Sequence, residues 1–147
     1  MDPADIPGLM RAARGTYGHA ITADLVAAGY EDLPRNGPFV IGGMANQGGS
    51  AVEMIRGLGV SRQAASQLID TLVVRGYLAR DVNTDDRRRL DITLTERGRD
   101  AATVIRAAVE RIHAELATMI SPDELAGMRA GLSALANIKQ RSRGAEV

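Results

Sequence analysis

Three consecutive arginines, Arg87, Arg88 and Arg89, follow Asp85 and Asp86 near the middle of the chain. A guanidinium group offers several N–H donors in one plane, and these donors match phosphate oxygens or the edge of a guanine. A carboxylate beside such a run can brace one arginine side chain and hold it extended. A run of arginines by itself is more often a solvated charge cluster, so its structural setting decides how it is interpreted.

A second set of polar residues precedes the arginines and falls on one side of a predicted helix. Ser61 is suited to cap this helix, which is predicted to run to about Arg75 before Gly76 ends it. The apolar side would be buried and consists of Ala65, Leu68, Ile69, Leu72 and Val73. The other side, with the cap, carries groups that bond to DNA bases or phosphates: Ser61, Arg62, Gln63, Ser66 and Gln67. An ordinary amphipathic helix would give the same pattern. We predict that Asp70 lies outside the contact patch, because its carboxylate would repel phosphate.

The elements around both sets form a helix-turn-helix followed by a β-hairpin. Ser50 and Glu53 have the spacing of a capping box, and the helix that they begin is predicted to end near Gly57–Gly59. Residues 77–82 are predicted to form one strand, and residues 90–94 alternate in polarity as a half-buried second strand. A helix of this kind fits the major groove of DNA, while an arginine-bearing hairpin tip reaches adjacent phosphates or the minor groove.

Long helices are predicted on both sides of this unit. The first, residues 7–29, has apolar residues at a spacing of four, and the later ones begin at Thr95 and at the Ser-Pro-Asp-Glu sequence of residues 121–124. Their apolar seams exceed what a compact central unit needs to cover itself. We therefore expect a two-fold homodimer whose two reading helices match a palindromic site, with half-sites about one DNA turn apart.

Composition narrows the class of protein. The chain has 147 residues, zero net charge, no cysteine and only 3% aromatic residues. This length suits one domain, and the scarcity of aromatic residues favours a helical core of aliphatic side chains. The absence of cysteine excludes disulfides and thiol redox sensing, and zero net charge argues against a protein that coats nucleic acid indiscriminately. The chain shows no signal peptide and no apolar run near the length of a membrane span, so we expect a cytoplasmic protein.

Residues for catalysis or metal binding do not stand out. The two histidines, His19 and His113, are far apart in sequence and have no carboxylate cluster beside them. No nucleophile–base pair, phosphate-binding glycine loop or paired catalytic carboxylate is apparent. The sequence therefore predicts neither an enzyme nor a cofactor.

Two segments of the chain resemble the MarR family of winged helix-turn-helix regulators. They are LGVSRQAASQLIDTLVVRGYLAR at 58–80 and DDRRRLDITLTERG at 85–98. The second carries the family's wing pattern at Asp86, Arg88, Leu94, Thr95 and Gly98. The resemblance implies an obligate homodimer, a reading helix in the major groove, and Arg88 in the minor groove with Asp86 as its brace. It also implies repression of nearby genes, relieved by a small molecule that is often aromatic or phenolic.

The expected fold is mainly α with a small β-hairpin wing, within a single domain of residues 1–147. Residues 36–95 are expected to form the DNA-binding lobe, and residues 7–30 and 96–142 the helical dimerisation region. The glycine-rich segment 34–49 departs from the family's usual second helix. It is predicted to form a short, poor helix capped by Asn36, and it serves either as a flexible coupling element or as a drifted helix.

The resemblance also places a ligand pocket between the dimerisation helices and the DNA-binding lobe. The residues that could line it are Arg14, Tyr17, His19, Phe39 and Met44. The alternative is that Tyr17, Phe39 and Met44 are core residues and that the other two are ordinary surface residues.

The sequence thus predicts a homodimeric, sequence-specific regulator of transcription. We expect a repressor that binds a palindromic operator on double-stranded DNA and is released by a small-molecule ligand. The alternative is a winged-helix architectural or protein-interaction module without a ligand response.

Overall fold

A computed structural model describes the backbone of residues 5–144 and the side chains of residues 5–138. The chain separates into two compact units, Met1–Val109 and Glu110–Val147. The elements in chain order are α1 (Ile6–Ala27), α2 (Gly37–Gln47), α3 (Ala51–Leu58), α4 (Arg62–Val74), β1 (Leu78–Val82), β2 (Leu90–Leu94), α5 (Glu96–Met119) and α6 (Pro122–Gly144). The predicted fold class, mainly helical with one antiparallel hairpin, is confirmed. Within the described part of the chain, no helix is both long enough and apolar enough to span a bilayer.

The helix-turn-helix is defined by caps that the sequence predicts. The Ser50 hydroxyl accepts a hydrogen bond from the Glu53 backbone N–H at 3.1 Å, and the Glu53 carboxylate accepts one from the Ser50 N–H at 3.2 Å. The Ser61 hydroxyl accepts from the backbone N–H of Ala64 at 3.1 Å, and so begins α4. Gly76 then adopts a left-handed φ of 79°, which turns the chain from α4 into the hairpin.

The glycine-rich helix α2 differs from the prediction. Asn36 is left-handed, with φ of 68°, and its side chain makes no capping hydrogen bond. The helix nevertheless extends over eleven residues and buries Val40, Ile41 and Met44. Its glycines permit close packing, because a Cβ on Gly42 would lie 3.3 Å from Cγ2 of Ile105 and one on Gly43 would overlap the Met54 side chain. The helix propensity lost at these positions is offset by close contacts with α3 and α5.

One hydrophobic core holds the first unit together. Its largest fully buried side chains are Tyr77, Ile41, Leu72, Leu78 and Val40. Ala101, Ala102 and Ile105 belong to the same core, so the beginning of α5 packs with the helix-turn-helix. Helix α1 joins this core through Leu25 near its C-terminal end, whereas Leu9 near its N-terminal end is 47% exposed.

The second unit contains the end of α5 and helix α6. Ser121 and Glu124 form the predicted capping box, in which the Ser121 backbone N–H donates to the Glu124 carboxylate at 2.8 Å. This bond, with a second from the Ser121 hydroxyl, lowers the pKa of Glu124. The apolar seam of α6 remains 42–60% exposed and comprises Met128, Leu132, Leu135 and Ile138.

Candidate nucleic-acid interface

Helix α4 presents the predicted reading residues on its exposed side. Leu68, Ile69 and Leu72 are buried in the core, and this fixes how the helix is rotated. The residues on the opposite side are all exposed, namely Arg62, Gln63, Ser66 and Gln67. Ser61 lies at the N-terminal end of the helix, where unpaired backbone N–H groups and the positive end of the helix dipole favour an anion.

The wing is an antiparallel hairpin whose outer end projects beyond the core. In its register, Leu78 pairs with Leu94 and Val82 with Leu90, and both pairs lie on the same face of the hairpin. Leu78 is buried, but Leu90 is 61% exposed. The predicted half-buried strand is confirmed at Ile92 and Leu94, which pack against the core, whereas Leu90 is exposed because the core ends before the strand does.

The turn of the wing is held by its own polar side chains. The Asn83 side-chain oxygen accepts hydrogen bonds from the backbone N–H groups of Asp85 and Asp86, both at 2.8 Å. The Asn83 amide nitrogen donates to the Asp91 carboxylate at 2.9 Å. The Asp86 carboxylate accepts from the backbone N–H of Arg88 at 3.0 Å. Asp86 therefore bonds to the arginine's backbone, whereas the sequence predicts that it braces an arginine side chain.

The three wing arginines are exposed at the end of this ordered turn. Among residues 5–138, none of the hydrogen bonds or ion pairs that the structure records uses the guanidinium of Arg87, Arg88 or Arg89. The carboxylate of Asp86 stabilises the turn, while the guanidinium groups retain their donors. This division of roles suits a surface that receives an anionic ligand.

A surface ion pair joins α4 to the wing, and the sequence does not predict it. Nη2 of Arg80 donates to Oδ1 of Asp70, and the two side chains are 39% and 58% exposed. From the sequence, Asp70 is interpreted only as a charge that repels phosphate. The pairing depends on how the hairpin lies against α4, which no periodic pattern in the sequence specifies.

A second group of polar side chains, here called the Tyr77 clamp, consists of Asp32, Tyr77 and Arg97. The Tyr77 hydroxyl donates to the Asp32 carboxylate. Nη2 of Arg97 donates to the same carboxylate and to the Tyr77 oxygen, both at 3.0 Å. The Arg97 guanidinium also lies 4.6 Å from the centre of the Tyr77 ring and 5.5 Å from that of Tyr30.

The Tyr77 clamp ties the loop after α1 to the start of the hairpin and to the first turn of α5. The hydroxyl of Tyr77, followed by the guanidinium of Arg97, lowers the pKa of Asp32. Burial, together with the hydrogen bond to Asp32, raises the pKa of Tyr77. Sequence reasoning misses these residues, since they come from three separate segments of the chain.

The residues predicted to line a ligand pocket differ widely in burial. Arg14 and His19 are exposed, Tyr17 is half-buried, and Met44 is buried in the core. Phe39 is 53% exposed, so the alternative interpretation of Phe39 as a core residue is wrong, while the same interpretation is confirmed for Met44. For metals, the described residues include no group of three or more histidine or acidic side chains placed to hold an ion.

The comparisons with known proteins agree with this winged-helix geometry. The family model described as the MarR family matches residues 40–89, which include α3, α4, β1 and the wing arginines. The match covers 50 of the 147 residues, and over this stretch the chain is similar to the MarR family. Proteins of that family are transcription regulators. A search of curated protein sequences finds no significant match.

Solved structures similar to this chain match it over almost its whole length. FabT of Streptococcus pneumoniae, solved in complex with DNA, is 18% identical with a TM-score of 0.76, covering 95% of this chain and 99% of FabT. CouR of Rhodococcus jostii RHA1, bound to p-coumaroyl-CoA, is 25% identical with a TM-score of 0.68, covering 90% and 92%. Apo MarR of E. coli is 20% identical with a TM-score of 0.59, covering 88% and 96%. The likeness therefore includes the flanking helices as well as the winged helix.

Proposed function

We propose that this protein is a homodimeric repressor that binds a palindromic operator and dissociates when a small molecule binds. The observation that carries the proposal is the pair of exposed surfaces on one lobe. The polar side of α4 and the three exposed guanidinium groups at Arg87–Arg89 both belong to the unit organised by a single core. A regulator of transcription of this kind would act in the cytoplasm by occluding a promoter.

The two surfaces have different roles in the proposed complex. Gln63 and Gln67 suit adenine edges, Arg62 suits guanine or phosphate, and Ser66 suits either. The N-terminal end of α4 at Ser61 and two of the wing arginines would bind phosphates, and Arg88 would enter the minor groove. Asp86 would support Arg88 through the backbone bond described above. The presence of DNA in the FabT structure is consistent with this arrangement.

The proposal of a dimer rests on apolar surface that the single chain leaves exposed. On α6, Met128, Leu132 and Leu135 follow a spacing of four and three, which forms a seam along one side of the helix. On α1, Ile6, Leu9 and Met10 are exposed near the N-terminal end. Association with a second copy would remove these side chains from water. Residues 7–30 and 96–142 would thus form the dimerisation region and residues 36–95 the DNA-binding lobe, within one domain of residues 1–147.

A small aromatic or phenolic effector is the proposed signal. CouR, which is 25% identical to this chain, was solved with p-coumaroyl-CoA, a phenolic thioester. The candidate contacts remain Arg14, Tyr17, His19, Phe39 and Met44, of which Phe39 presents an exposed ring. Ligand binding would release DNA by changing the distance between the two reading helices of the dimer, so that both half-sites can no longer be engaged.

The experiment selects binding sites from a randomised duplex library and then measures fluorescence anisotropy on selected and scrambled duplexes over a salt series. We expect tighter binding to the selected duplex and a steep fall in affinity with salt. Arg88→Ala should weaken binding to both duplexes with an unchanged melting temperature. Gln67→Ala should reduce discrimination at one base position by about 1–3 kcal/mol.

Equal, weak binding to both duplexes, or an Arg88→Ala variant that binds like the wild type, would contradict the proposal. The ligand is tested by adding p-coumaroyl-CoA and related phenolic acids to the preformed complex. Release of the duplex would support the proposed mechanism. DNA binding that no compound changes would favour an architectural protein, and no DNA binding at all would favour a protein-interaction module.

A further inference from the structure

The C-terminal end of the proposed reading surface carries a negative charge. Asp70 lies three and four residues after Gln67 and Ser66 on α4, so it is on the same exposed side of the helix. A carboxylate here faces the same side as the groups proposed to contact DNA. It would repel phosphates that flank the bases read by α4.

Arg80 lies beside this carboxylate because of the register of the wing. It pairs with Ile92 and shares a hairpin face with Leu78, whose side chain is buried. Its Nη2 donates to Oδ1 of Asp70, which bridges the hairpin and α4. The structure records only this one bond from the guanidinium, although a guanidinium has several further N–H donors in the same plane.

We propose that Arg80 is an additional phosphate-binding residue and that Asp70 competes with DNA for it. This inference rests on the proposed function. An exposed ion pair is weak, so a DNA phosphate that approaches between α4 and the wing can share or displace the carboxylate. Asp70 then lowers affinity for DNA of any sequence, because phosphate contacts carry no sequence information. Operator binding retains the base contacts of α4, whereas binding elsewhere depends on phosphates alone.

Asp70→Asn and Arg80→Gln separate the charge of each residue from its size. The asparagine oxygen can still accept the Arg80 hydrogen bond, so this variant removes the repulsion and keeps the bridge. We expect Asp70→Asn to bind a short duplex of arbitrary sequence roughly three- to tenfold more tightly, the scale of one nearby charge. Arg80→Gln should bind more weakly, and its log–log salt slope should fall by about 0.9, the value for one lost phosphate contact. Arg80→Lys should restore the slope.

Asp81→Asn is the matched control, since it makes the same change in net charge on the opposite face of the hairpin, where Asp81 accepts a hydrogen bond from Thr93. It should change affinity much less than Asp70→Asn does. All variants are assayed as full-length protein between about 50 and 200 mM salt, with melting temperatures measured in parallel. If Arg80→Gln fails to fold, Asp70→Asn, compared with Asp81→Asn, still decides the question.

An unchanged salt slope in folded Arg80→Gln would overturn the inference. Weaker DNA binding by Asp70→Asn would also overturn it, because the ion pair would then be only a structural bridge. In either case wild-type binding that depends on Arg88 would leave the proposed function intact. If the wild type shows no salt-dependent binding to any duplex, the proposed function and this inference fail together.

Discussion

Gly98→Ala is expected to destabilise the protein, although the same change in most helices is favourable. Gly98 lies in the first turn of α5 and is buried, with its N–H donating to the Thr95 hydroxyl at 3.0 Å. A Cβ at this position would overlap the backbone carbonyl oxygen of Tyr77 and lie 3.2 Å from the carbonyl carbon. It would also lie 3.1 Å from Cδ2 of Leu94. The obstacle is mainly backbone, which cannot move aside by changing a rotamer.

The expected change in the free energy of unfolding is the sum of two opposing contributions. Alanine gains about 1 kcal/mol over glycine in a helix interior. Overpacking typically costs about 1–3 kcal/mol and more where the backbone must shift. Here α5 must move away from Tyr77, which also disturbs the Tyr77 clamp and the core around Ala101. We expect a net loss of about 2–4 kcal/mol, or a fall in melting temperature of roughly 5–15 °C for a domain of this size.

Thermal unfolding followed by circular dichroism measures this loss directly. Gly57→Ala is the matched control, because Gly57 also lies in a helix of the first unit and a Cβ there meets nothing within 4 Å. The control should melt at or slightly above the wild-type temperature. If Gly98→Ala melts at the wild-type temperature or higher, the close approach of α5 to Tyr77 is not a constraint and the reasoning is refuted.

Two further predictions concern the Tyr77 clamp and the exposed seam of α6. Asp32→Asn should lower the melting temperature near neutral pH, because the folded state lowers the pKa of Asp32 below its ordinary value of 3.8. The ionised carboxylate therefore stabilises the fold above pH 3.8, and this stabilisation is lost as the pH falls through the lowered pKa. A melting difference that stays constant down to strongly acidic pH would show that the carboxylate charge is not involved. Leu132→Asp should shift the protein from dimer to monomer in light scattering, because a charge would be buried in the proposed interface. Ser133→Asp beside the seam serves as control, and an unchanged mass for both variants would place the dimer contact elsewhere.

The parts of the fold that could be predicted from sequence depend on residues close together in the chain. The capping boxes at Ser50 and Ser121 and the cap at Ser61 each use a partner three residues away. The exposed side of α4 is equally local, since the buried positions of one helix fix the direction of the others. Local spacing is therefore enough to identify the candidate reading residues and the wing arginines.

The interactions that sequence reasoning misses join distant segments or depend on packing density. Asp32 and Arg97 are 65 positions apart, and Asp70 meets Arg80 only because of how the hairpin lies against α4. In α2, the glycines predict a poor helix because, by helix propensity alone, each glycine destabilises a helix relative to alanine. The side chains of Met54 and Ile105, which occupy the space that the glycines leave, come from other elements. Residue type alone favours a core position for Phe39, but the surface of a lobe that pairs with another molecule can expose such a ring.

A net charge of zero is compatible with the proposed DNA interface, because the acidic and the basic side chains of the lobe have different roles. In the wing, Asp86 and Asp91 accept hydrogen bonds that hold the turn, so their charges are fixed within the hairpin. The guanidinium groups of Arg87–Arg89 remain directed to the surface by the same turn. On the proposed interface, Asp70 would further offset Arg80, so the phosphate contacts alone would bind DNA weakly. Under this proposal, base contacts from α4 would supply the additional affinity, which is the balance that a repressor requires to occupy its operator among many other sites.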